Sequence, residues 1–123
     1  MTIGKDKVYL TKDGIVEILV VGDQSVSSVQ AMSDEAAELA KSQRLRGRRA
    51  LILDNVQQIG NVPPEARQLV MELIRSSEYD KLAVVGSGPL MKLGANLILH
   101  ATGRGKHVQY FDDRAAAAAW LKK

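Results

Sequence analysis

The apolar positions fall into blocks whose period changes along the chain, and each change marks a new element. Residues 7–10 and 15–21 read as two strands, joined by Lys12, Asp13 and Gly14. Asp-Gly between apolar runs is a strong hairpin signal. The second run is nearly continuous in apolar residues, as in a strand buried on both faces. Asp23, Ser25 and Ser28 then offer candidate N-caps for a long helix. Val29, Met32, Ala36 and Leu39 recur at threes and fours and form its apolar stripe, while Asp34, Glu35 and Glu38 fall off that stripe. The helix should end near residues 45–47.

Residues 50–54 (ALILD) form a short buried strand in this reading. Pro63 and Pro64 open a second helix, because proline at the first turn forfeits no hydrogen bond. Its stripe is Ala66, Leu69, Val70, Leu73 and Ile74. Residues 82–85 make another buried strand. Gly86, Ser87 and Gly88 turn the chain into a third helix over residues 90–102, closed by Gly103. Residues 107–111 form the last strand, and Asp113 caps a final helix that carries Trp120. The order ββαβαβαβα predicts an α/β fold: a mixed sheet of about five strands with a parallel portion, and about four helices. The helices should cover the parallel strands, with Trp120 and Leu121 packed back on the sheet.

Composition narrows the picture. A chain of 123 residues with no linker or repeat fits one domain, residues 1–123. With only 4% aromatic residues, the core has to be built from aliphatic side chains. The absence of cysteine excludes disulfides, thiolate metal sites and thiol catalysis. A net charge of +3 is too small to argue for nucleic acid. The cluster Lys41, Arg44, Arg46, Arg48 and Arg49 lacks interleaved aromatics for base stacking and reads as a solvated helix end. Residues 81–111 contain no acidic residue but hold Lys92, Arg104, Lys106 and both histidines. The first residues, MTIGKDKV, lack the apolar core of a signal peptide. Residues 90–102 are too few to cross a bilayer and are interrupted by Lys92, Asn96 and His100. These features point to a cytoplasmic protein without a transmembrane segment.

The segments KLAVVGSGPLMKLGANLILHATG and VQYFDDRAAAAAWLKK, with DGIVEILVVGD and LILD before them, resemble the SpoIIAA-like, STAS-type family, within the wider STAS/SEC14 group. The resemblance runs over nearly the whole chain and implies a non-enzymatic regulatory or binding domain. In anti-sigma-factor antagonists of this fold, a serine at the start of the helix after the middle strand is phosphorylated. The matching stretch here, Ile59-Gly60-Asn61-Val62-Pro63-Pro64, has no hydroxyl, and no Ser, Thr or Tyr occurs from Gln43 to Arg75. The usual phosphoswitch is therefore not expected.

Candidate site residues are few. Asp54 ends a buried strand at the carboxyl edge, where open α/β sheets place ligands; the alternative is a turn cap or an ion pair. Asn61 lies in the stretch matching the phosphoswitch. Ser87, between two glycines before a helix, could face an anion or simply turn the chain. Lys92, Asn96 and His100 are spaced by four and share one polar stripe. The apolar arc beside them, including Leu93 and Leu97, is wider than one sheet contact needs, so the helix is either wedged between the sheet and neighbouring helices, or part of the arc meets a protein partner, a second copy of the chain, or a lipid-like ligand. His100 and His107 lack metal-pair spacing, and no metal or cofactor is expected. The expectation is a regulatory or protein-interaction module, not an enzyme, without nucleic acid as a partner. The alternative is a carrier or sensor of a small amphiphile in an apolar pocket.

Overall fold

The computed structural model describes residues 5–123 throughout, together with the backbone of Thr2 and Ile3. The first residues used to judge a signal peptide lie in part outside the described ones. Six strands form one sheet in chain order: β1 (Thr2–Ile3), β2 (Asp6–Leu10), β3 (Ile15–Gly22), β4 (Leu51–Ile59), β5 (Lys81–Val85) and β6 (Val108–Phe111). The first three are antiparallel, and β3 through β6 are parallel. Helices α1 (Val26–Leu45), α2 (Pro64–Ser76) and α3 (Pro89–Ala101) link the parallel strands, and α4 (Arg114–Lys122) follows β6. The expected mixed sheet and four helices are thus present, with the two-residue β1 added at one edge.

Sequential parallel strands with right-handed crossovers place every linking helix on the same face. Val16, Ile52, Leu82, Val84 and Val108 accordingly point toward α1, α2 and α3. Their alternates Ile15, Leu51, Leu53, Ala83 and Val85 meet Ala117, Ala118 and Leu121 of α4 on the opposite face. Trp120 is half-buried against Phe111, with ring centroids 5.6 Å apart, and Lys81 Nζ stands 4.8 Å from its ring.

Local chemistry explains the boundaries. Gly14 adopts φ +81° in the hairpin, a conformation glycine reaches without strain. Of the three candidate caps for α1, Ser25 is the one used: its hydroxyl accepts from Ser28 N–H at 3.1 Å, and Ser28 Oγ accepts from Ser25 N–H at 2.9 Å. Asp113 caps α4 through Ala115 and Ala116 N–H.

Strand β4 runs to Ile59, well beyond the expected residues 50–54. The apolar pattern ends at Asn55 because only β3 accompanies the extension, β5 having stopped opposite Asn55. Within the extension the register slips: Leu19 pairs with Asn55, but Val21 pairs with Gln58. Two steps on β3 thus answer three on β4, a β-bulge. The bulge reverses the side-chain alternation, so that Asp54, Val56 and also Ile59 border the same space under α1 and α2.

Candidate functional site

Helix α2 packs more closely on α1 and α3 than on any strand. Helix α1 presents Ala36, Ala37 and Ala40 toward the gap, and small side chains cannot fill it. The result is a cavity of about 600 Å³ between α1 and α2, floored by β3, β4 and β5. That size is in the range of small-molecule sites, on the order of 300–1,000 Å³. Its floor is Ile18, Ile52 and Leu82, and its α2 wall is Val70, Leu73 and Ile74. Lys41 and Arg44 border it from the last turns of α1, and Arg44 lies 3.5 Å from Asp80.

One acidic group sits in this apolar floor. Asp54 is partly accessible as a residue, through the cavity it lines, but protein surrounds its carboxyl. Oδ1 is sealed from solvent and has no hydrogen-bond partner among the described residues. Burial pushes the carboxyl up to about 7, because desolvation disfavours the charged form. Two other polar side chains lining the cavity are engaged within the fold. Gln24 Nε2 donates to Asp6 Oδ1 at 3.2 Å and to Gly22 O at 3.1 Å, and Tyr79 Oη donates to Ile74 O at 2.7 Å.

The remaining sequence candidates do not join Asp54. Asn61 is an exposed latch between two loops: its N–H donates to Asp23 Oδ1 at 2.8 Å, and its carbonyl accepts from Gln24 N–H at 2.8 Å. Ser87 is exposed, and its N–H points at Met91 Sδ, 3.3 Å away. The glycine before it has a packing reason. A Cβ on Gly86 would come within 2.5 Å of both Met91 Sδ and Tyr110 Oη. Lys92, Asn96 and His100 lie together on the exposed side of α3. Next to them stand Leu90, Leu93 and Leu97, which are 82%, 59% and 67% exposed, while Leu99 alone of this helix is buried. The wide apolar arc is therefore an exposed ridge.

Several structural polar groups were missed from sequence. Glu17, buried on β3, accepts from Arg114 Nε at 3.1 and 3.2 Å and makes a closer contact with Arg114 Nη2. Its signal was a lone charge inside the apolar run 15–21. Asp6 is buried and accepts from Val21 N–H at 2.7 Å. Arg104 lies 4.0 Å over the Tyr79 ring and donates to Ser77 O at 2.7 Å, binding the C-terminal end of α2. Its charge, counted with the acid-free stretch, is spent inside the fold. Among the described residues, no three His, Asp or Glu side chains gather to hold a metal, and no helix is long and apolar enough to cross a membrane.

Comparison with known proteins bears on the whole fold. A family model described as SpoIIAA-like matches residues 12–122. A crystal structure of an uncharacterised protein from Shewanella loihica PV-4, described as having a SpoIIAA-like fold, is similar at a TM-score of 0.63 and 16% identity. The alignment covers 94% of this chain and 91% of that one. At that identity the likeness concerns the fold. Comparison with curated proteins finds no match.

Proposed function

The chain belongs to the SpoIIAA-like family, and from that premise we propose that it is a regulatory module whose input is a small amphiphile held between α1 and α2. The observation that carries this reading is the cavity of about 600 Å³ with its aliphatic floor. The pocket opens to solvent between the helices, so its aliphatic lining stays in contact with water unless an apolar ligand covers it, and that burial favours occupancy. The family's phosphoswitch position supports the same reading from another side. Pro63 stands at the N-cap of α2, and the loop before it carries no hydroxyl. Occupancy of the cavity then takes the place of a phosphate as the signal. The cavity favours binding over catalysis, since two of its polar side chains, Gln24 and Tyr79, are tied to structural partners within the fold.

Native mass spectrometry of the purified chain, with a thermal melt before and after addition of decan-1-ol, tests the proposal. A bound apolar species or a rise in Tm is expected. A chain that is empty as purified and whose melting is indifferent to every amphiphile tried contradicts it.

A second reading rests on the α3 ridge. Leu90, Leu93 and Leu97 follow one another at i, i+3 and i+7, and exposed apolar ridges of this kind serve as interfaces. The partner is another protein or a second copy of the chain, which suits a regulatory output beside the cavity's input. Leu97→Glu should abolish association in sedimentation velocity while leaving the melt unchanged.

A further inference from the structure

Resting on the cavity reading above, we infer that Asp54 is the polar anchor of the site, and that its ligand is a chain-like amphiphile whose polar end is a hydrogen-bond donor without negative charge, an amine or an alcohol. The anchoring group is fixed by strand geometry. Asp54 pairs in register with Ile18 of β3 and Val84 of β5, in the middle of the sheet. The bulge after Asn55 keeps Val56 and Ile59 on the same side, so the carboxyl is set in an aliphatic surround.

A carboxyl accepts hydrogen bonds in both of its protonation states. Oδ1 accepts none within the protein. Asp54 therefore needs a donor that the fold withholds. Oδ1 is sealed from solvent, so the donor of a bound ligand meets the carboxyl on its other side, where Asp54 lines the cavity. An ammonium group supplies donors and opposite charge, and a hydroxyl supplies one donor at no charge. A ligand carboxylate or phosphate brings only acceptors and a second negative charge into a poorly hydrated site, where like charges repel strongly. The other titratable side chains bordering the cavity are Lys41 and Arg44 on α1, and Glu78 and Tyr79 after α2. The Tyr79 hydroxyl is already committed to Ile74 O.

Three probes of equal chain length separate the possibilities: decylamine, decan-1-ol and decanoate, titrated calorimetrically into the full chain. At pH 8.5 decylamine should bind tightest and decanoate weakest, with at least about a tenfold span, each tenfold corresponding to about 1.4 kcal/mol. Asp54→Asn should cut the decylamine affinity about tenfold or more and change decan-1-ol by only a few-fold. A second measurement needs no variant: at pH 5 the preference of the unaltered chain for amine over alcohol should shrink. If all three probes bind but decanoate equals decylamine, or if Asp54→Asn leaves the decylamine affinity unchanged, the anchor is overturned and the cavity reading stands. If none of the three binds, the cavity reading falls and the anchor with it.

Discussion

Two carboxylates inside the sheet have opposite surroundings, and that contrast sets what each one does. Glu17 is buried with a guanidinium: Arg114 reaches it from the first turn of α4, and one ion pair clamps the N-terminal strands to the C-terminal helix. Removing one partner of such a pair strands a charge out of water, at a cost of roughly 3–5 kcal/mol. Arg114→Ala should therefore lower stability by about 3 kcal/mol in urea denaturation, the lower end because the arginine is itself 44% exposed. Asp54 has no cation beside it among the described residues. Its carboxyl titrates near 7 in the fold against about 4 in the unfolded chain, because burial disfavours the ionised form. Between those values the folded state holds a proton that the unfolded state has lost, so stability falls as pH rises from about 4 to about 7 and is flat above. Asp54→Asn should remove that slope. In denaturation at pH 8 the variant should be more stable than the unaltered chain by on the order of 4 kcal/mol, with no gain near pH 4. A variant that destabilises equally at both pH values would contradict the assignment.

At the level of elements, the apolar pattern carried most of the fold. Strands β3 and β5 and helices α1, α2 and α4 are legible because burial on one or both faces imposes a period, and caps such as Ser25 and Asp113 mark where a helix starts. Ser25→Ala should cost about 1 kcal/mol, measured by thermal melting. The second half of β4 was not legible, because Gln57 and Gln58 are exposed and carry no apolar signal. The bulge inside it depends on pairing between strands, which no local pattern reveals. Helix α3 was half legible. Its sequence showed more apolar surface than one contact requires, yet the covered face proved to be the narrow one around Leu99, Met91 and Ala95. Leu97→Glu should change stability by no more than about 0.5 kcal/mol, as an exposed position does. A large loss in the melt would show that this ridge is packed in solution.

On the scale of the whole molecule, the topology divides labour between the two faces of one sheet. Helix α4 closes one face tightly with alanines and Leu121. Three helices share the other, and α2, borne on its neighbours and held at its end by Arg104, stands off the strands and leaves the cavity. Asp54 was singled out in sequence by its place at the end of an apolar strand. The cavity above it arises from the distance between α1 and α2, and alanines that look like ordinary helix formers in sequence become its wall. Asn61 and Ser87 share the carboxyl edge with that site only in the broad sense of topology; their atoms are engaged in turns and latches.

The central claim is that a small amphiphile occupies the space between α1 and α2. Alanine methyl resonances report on it directly, because Ala36, Ala37 and Ala40 line the cavity while Ala117 and Ala118 lie across the sheet. In a methyl-labelled NMR titration with decan-1-ol, the first set should shift and saturate together while the second stays in place. Unmoved cavity methyls at saturating probe, or shifts confined to Ala95 and Ala101 of α3, would contradict the account.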